Sequence, residues 1–363
     1  MFFAKSYNFT INLDKNVKMK KLSCILFILY LFIRTTVVAQ TQLIEARKMS
    51  RQGAVALDSS DFATALRYFK AAQQLDSANI TYRYQIATVH FLKNDFKQSL
   101  KVVLPLLTHR DVSPSVIRLI ANNYDNLKQQ DKAIDIYKKG IELAPNDGKF
   151  YHDLGTIYLM RKQPDLAAEF FEKGIEMDNK FSSNYYWACK SLLATNNYWW
   201  GVLYGELFLN MERNTTRTYE ISKLLYDNYN KVSKISSDSL LKWQVNSQKW
   251  ETKFEVLSQE IWSKTSIKPQ KTNISSLSVL RHSFLQNYLA NVTSKTQNVL
   301  LLDFWKEIDD NDYWEAYNFW LFNQGNEPEF EEWLDKHAPA FGRFITWFVQ
   351  HPIEVGNRKV TRK

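Results

Sequence analysis

The side chains able to do chemistry are few and scattered. The 363 residues include six histidines and two cysteines, and no HExxH pair sets two histidines on one helix face for zinc. Cys24 and Cys189 lie too far apart for a CxxC metal or redox pair. No glycine-rich phosphate loop, GxGxxG turn, GxSxG elbow or calcium loop occurs. Asp309, Asp310 and Asp312 crowd three carboxylates together, but their spacing misses the alternating calcium-loop pattern. Asp312 is better suited to capping the helix that follows it. These residues predict no catalytic group, no metal site and no cofactor, and therefore a protein that is not an enzyme.

The charge balance of 47 basic against 38 acidic residues, a formal +9, invites a nucleic-acid reading. The N-terminus removes most of it. Met19, Lys20 and Lys21 precede an apolar run from Leu22 to Ile33, and Val37, Val38 and Ala39 follow. This pattern predicts a secretory signal peptide over 1–39, cleaved after Ala39, with an upstream start extension before Met19. The run is too short to span a bilayer comfortably, so no spanning helix is expected in the mature chain. Cleavage would take six cations and one carboxylate away, leaving +4 over 324 residues. No nucleic-acid partner is then expected. The Lys-Lys start and Ala-Gln end resemble those of exported Bacteroidetes-type proteins. Export to the periplasm, or secretion, or a peripheral outer-membrane association, is the expected location.

The elements that must position any binding residue follow from an internal period of 34, with units at 46–79, 80–113, 114–147, 148–181 and 182–213. The eighth place of each unit is small: Gly53, Ala87, Ala121, Gly155 and Cys189. So is the twentieth: Ala65, Ser99, Ala133, Ala167 and Gly201. Phe69, Tyr137 and Phe171 recur at the twenty-fourth place, where the fifth unit has Gly205. Each unit reads as two amphipathic helices whose crossing needs a small residue from each. Cys189 then reads as a buried crossing residue, and His90, at an eleventh place where aromatics pack, as a core side chain.

This alternation resembles tetratricopeptide repeats (TPRs), over about 46–213. The resemblance implies an all-α TPR α-solenoid of helix-turn-helix pairs, residues 40–213 forming the array. It also implies that the first helix of each pair lines a concave face that binds a protein or peptide partner. The fifth, ninth and twelfth places nominate Tyr84 and Phe91, then Arg118, Asn122 and Asp125, then His152 and Thr156, then Tyr186 and Lys190. Arg118 and Asn122 stand one helical turn apart, where both could grip a carboxylate or a peptide backbone. The family's clamp for C-terminal carboxylates needs basic and amide partners where this chain has Asp153 and Trp187, so that clamp is expected to be absent.

All eleven tryptophans fall between Trp187 and Trp347, which marks 214–363 as a distinct helical module, a cap or degenerate repeats. Helices are predicted over Ser239–Trp262, Leu277–Val292, Val299–Ile308, Tyr313–Phe322, Glu329–His337 and Ala340–Gln350, with a loop over 264–276. Residues 312–316 echo 197–201. Charge is polarised, +6 over 214–300 and −5 over 301–363. The sequence thus predicts a non-enzymatic binding scaffold of the bacterial cell envelope. The alternative is a carbohydrate-binding or uptake accessory protein that uses exposed aromatics.

Overall fold

The computed structural model describes residues 40–195, 197–234, 272–291 and 300–356, together with Ser23, Leu26, Phe27 and Val38. Most of the expected signal segment and the predicted helix Ser239–Trp262 lie outside the described residues. Every regular element among the described residues is helical. In chain order these are α1 (40–58), α2 (Phe62–Leu75), α3 (Ile80–Leu92), α4 (Phe96–Val103), α5 (Pro114–Asn126) and α6 (Gln130–Leu143). There follow α7 (Gly148–Met160), α8 (Pro164–Met177), α9 (Ser182–Ala194), α10 (Tyr198–Met211) and α11 (Thr216–Lys234). The last four are α12 (Ile274–Asn291), α13 (Leu300–Asp310), α14 (Trp314–Phe322) and α15 (Glu327–Gln350). The chain divides into two compact units, Met1–Ala133 and Ile134–Lys363.

Local chemistry sets the boundaries. Asp61 Oδ1 accepts from Thr64 N at 3.0 Å and Asp95 Oδ1 from Gln98 N at 3.2 Å, so both cap helix N-termini. Pro114 and Pro164 open α5 and α8, where a missing N–H costs nothing. Between the helices of the first four pairs the chain turns through one left-handed residue: Ser60, Asn94, Lys128 and Lys162, with φ of 58°, 60°, 63° and 58°. The next N–H then reaches back five residues, from Asp61 to Ala56, Asp95 to His90, Gln129 to Tyr124 and Gln163 to Tyr158, at 2.8–2.9 Å. This is the Schellman closure, which satisfies carbonyls orphaned at a helix end.

Asp312 has φ 60°, and Tyr313 N reaches Ile308 O at 3.0 Å. The α13–α14 connection is therefore the same turn, as the echo of 197–201 implied. Asp312 is the left-handed turn residue and not the N-cap expected of it. Tyr313 takes the cap position, without a side-chain bond.

The small places do what close crossing requires. A Cβ on Gly53 would lie 2.6 Å from the Phe69 ring, and one on Gly155 would lie 2.5 Å from Phe171. Phe69 and Phe171, both at place twenty-four, thus seat on the small residue at place eight of their own units. Ser99 adds a bond, donating from Oγ to Ala87 O at 2.8 Å, while Asn123 Nδ2 donates to Ser99 Oγ at 2.9 Å. In the fifth pair the sizes reverse. A Cβ on Gly205 would meet Cys189 Sγ at 2.8 Å, Leu225 at 2.9 Å and Ile221 at 3.3 Å, so the gap left by the missing aromatic admits α11.

One apolar core in the second unit runs from Ala167 on α8 through α9, α10, α11 and α12 to Val355. α12 begins at Ile274, inside the predicted loop, because Glu329 of α15 accepts from Ile274 N at 2.7 Å and Ser275 N at 3.0 Å. A carboxylate distant in sequence caps this helix. α15 joins the predicted helices 329–337 and 340–350 across a kink, where His337 leaves helical geometry (φ −125°, ψ 15°) two residues before Pro339.

Candidate functional site

In the first unit α3 presents Tyr84 and Phe91, and α5 presents Arg118, Asn122 and Asp125; all five are half-buried. Phe91 packs edge-on to Phe96 with ring centroids 5.3 Å apart, which anchors it to the second helix of its pair. On α1, Ser50 Oγ donates to Gln85 Oε1 of α3 at 2.9 Å, tying neighbouring first helices together. His90 is half-buried, 3.6 Å from Asp95, and burial pushes its imidazole below the usual range. It therefore stands at the edge of the core, not within it as the sequence had indicated.

In the second unit His152 and Thr156 lie half-buried on α7. His152 Nδ1 stands 3.1 Å from Asp153 Oδ1, and its ring packs against Phe181 and Phe171 at 5.6 and 6.0 Å. Thr156 Oγ1 donates to Asp153 O at 2.7 Å. Tyr186 and Lys190, one turn apart on α9, converge on a residue the sequence reading missed, Glu220 of α11. Tyr186 Oη donates to Glu220 Oε2 at 2.5 Å, and Lys190 Nζ reaches Glu220 Oε1 at 2.6 Å and Tyr186 Oη at 3.1 Å. Glu220 stands 34 residues after Tyr186, at the fifth place of what would be a sixth unit. α11 thus keeps the first-helix register beyond residue 213. That spacing was the available signal.

Charges on this face are answered in place. Lys190 Nζ lies 5.0 Å from the Tyr186 ring and 5.1 Å from the Trp187 ring. Arg217 of α11 stacks over Tyr186 and Phe208 at 5.2 and 5.3 Å, and its Nε donates to Glu212 Oε1 at 3.0 Å. Burial opposes ionisation of Glu220, yet the bonds from Lys190 and Tyr186 outweigh it and hold the carboxyl below its ordinary range. Lys190 moves the opposite way: burial would lower it, and the bonds to Glu220 and Tyr186 raise it. Burial, helped by the bond to Glu220, pushes the Tyr186 phenol up. Such a face offers hydrogen bonds and ring surfaces. Cys189 is fully buried and burial pushes its thiol up, away from the reactive thiolate.

The described tryptophans mostly belong to the core. Trp199, Trp200, Trp305, Trp314 and Trp333 are buried, and Trp187, Trp320 and Trp347 are packed against the core. Trp243, Trp250 and Trp262 lie outside the described residues. No group of three or more histidine, cysteine or acidic side chains able to hold a metal ion occurs among the described residues. Among the same residues no helix is long and apolar enough to cross a membrane.

Helix pairs of 34 residues with small crossing places define a repeat protein of the helix-turn-helix class. Two tetratricopeptide-repeat models match it, over residues 119–147 and 136–169. The chain carries TPRs. No curated protein matches it at a significant level. Among solved structures it is similar to a tetratricopeptide repeat protein from Parabacteroides merdae, at 15% identity over 80% of this chain and 98% of that one, with a TM-score of 0.42. It is also similar to pilF of Pseudomonas aeruginosa, at 15% identity over 58% of this chain and 100% of that one (TM-score 0.45). MamA from Desulfovibrio magneticus is 17% identical over 47% of this chain and 97% of that one (TM-score 0.40).

Proposed function

We propose that the protein is a non-enzymatic scaffold of the bacterial cell envelope that binds a protein or peptide partner on the faces of its first helices. The TPR fold supports the scaffold reading. The observation that carries the choice of face is the set of polar and aromatic residues at places five and nine: Tyr84, Arg118 and Asn122 in one unit and His152, Thr156 and Lys190 in the other, all half-buried, with Tyr186 buried beside Lys190. A partner backbone laid on these residues within either unit finds donors, acceptors and ring faces already held in place. Export rests on the signal pattern at 19–39, and the peripheral envelope location follows from it. The carbohydrate alternative needs exposed aromatics, and the described tryptophans are buried or packed against the core.

The test is photo-crosslinking in the native envelope with the reactive residue placed at 118, 156 or, as an outer-helix control, 139. The proposal expects one shared partner from 118 and 156, lost on Arg118→Glu and kept on Lys139→Glu. Equal effects of the two reversals would sink the choice of face. Point substitutions are preferable to a cut at residue 213, because the core continues across it and severing the chain there would expose α10.

A further inference from the structure

A cleft in the second unit lies between α13 and the end of α15 with the segment that follows it. It encloses about 350 Å³ and is lined by Leu300, Asp303, Phe304 and Glu307 on one side and by residues 350–354 on the other. That volume falls at the small end of ligand-binding clefts. Its floor is apolar and fixed. Phe304 and Ile353 are buried, and Phe304 stacks on Trp347, which in turn stacks on His351 at 4.6 Å and 12°. His351 Nδ1 is held 2.8 Å from Trp347 O, so this wall has a set orientation.

The rim carries three carboxylates, Asp303, Glu307 and Glu354, with the neutral amide of Gln350, and no lysine or arginine lines the cleft. Residues 300–356 hold twelve carboxylates against three cations, and several carboxylates outside the cleft lining have partners. Asp310 pairs with Lys306, Asp309 with His282 at 2.9 Å, and Glu332 with Lys336 at 2.7 Å. Among the described residues no ion pair reaches Glu307 or Glu354. The rim carboxylates do not form a metal-binding group. Spaced anions above an apolar, aromatic floor match an ammonium on an aliphatic chain, whose methylenes cover the floor while its charge meets the rim.

We propose that this cleft is a binding site for an organic cation, an alkylammonium group borne by a free polyamine or by a lysine side chain. The test is calorimetric titration of the full chain with spermidine and, separately, with acetyl-Gly-Lys-Gly-amide. A second full-length chain, with Arg358, Lys359, Arg362 and Lys363 changed to glutamine, shows whether these cations, which follow the cleft in sequence, compete. Saturable binding is expected, weakened about tenfold in the E307Q/E354Q double variant and unchanged in E331Q, an exposed carboxylate elsewhere on α15. Sensitivity of the tripeptide to the double variant assigns the site to lysine side chains, and sensitivity of spermidine alone assigns it to free polyamines. Tighter binding by the tail-neutralised chain supports the site and identifies an internal competitor. Absence of saturable binding in both chains, or equal binding by E307Q/E354Q and E331Q, overturns the proposal.

Discussion

Glu206 and Arg281, 75 residues apart, face each other at 2.6 and 2.8 Å with neither side chain exposed to solvent. The carboxylate also accepts from Trp305 Nε1 at 2.6 Å and Tyr317 Oη at 2.7 Å. The guanidinium lies 4.4 Å from the Trp305 ring centroid and 5.2 Å from that of Tyr229, and donates to Asn318. This pair ties α10, the last helix of the repeats read from sequence, to α12, α13 and α14. A buried pair is not in itself a source of stability, because desolvation consumes much of the attraction. Its consequence is asymmetric: each partner is tolerable only while the other is present.

Arg281→Met should therefore cost about 3–5 kcal/mol by stranding the Glu206 charge. The double variant Glu206→Gln/Arg281→Met should lose clearly less than the single change. Urea unfolding of the four chains of this cycle checks the coupling, and additive losses would contradict it.

Gly155→Ala should destabilise by about 1–3 kcal/mol, since its Cβ would lie 2.5 Å from the Phe171 ring. Trimming Phe171 to leucine in the same chain should recover part of the loss. Gly342 is the control: nothing lies within 4 Å of its Cβ position, and alanine there should be neutral or stabilise by up to about 1 kcal/mol. Thermal melts of the three variants distinguish these outcomes.

Lys128 and Lys162 occupy left-handed backbone (φ 63° and 58°) that favours glycine. Lys128→Gly should raise stability by about 0.5–1 kcal/mol, the relief of side-chain strain exceeding the added unfolded-state entropy. A fall in the denaturation midpoint would show that the lysine side chain contributes more than its backbone costs.

The Tyr186–Lys190–Glu220 cluster makes stability fall at both ends of the pH scale. Glu220 is held below its ordinary 4.5, so its contribution is present above that pH and lost as pH drops through the lower folded value. Lys190 and Tyr186 are held above their ordinary 10.5 and 10.0, so theirs is present below those values and lost as pH rises through the folded ones. Glu220→Gln should flatten the acid limb and lower the titration midpoint of Tyr186, followed by phenolate absorbance. An unchanged acid limb would show that the cluster is not coupled to folding.

The repeat was legible because close helix crossing restricts residue size at fixed intervals, and size is written in the sequence: Gly53, Ser99, Gly155 and Cys189 all sit where they were expected. The turns were less legible. Their left-handed residues are serine, asparagine and lysine, which give none of the glycine signal such a conformation normally leaves. Glu220 lay within reach, since the spacing of 34 simply continued to it, but the size pattern that marked the earlier units stops at Lys223.

The sequence by itself determined the helical pairs, their period and the faces on which the two helices of a pair cross, because each is set by contacts within one repeat. Only the tertiary structure decided what those faces meet. Glu206 is the sole charged residue of α10, a signal that a buried partner must exist, but nothing in the spacing named Arg281. Nor could it name Glu329 as the cap of α12, or set Glu307 and Glu354 around one cleft. These pairings are fixed by how distant helices pack, and that depends on the shape of the whole core.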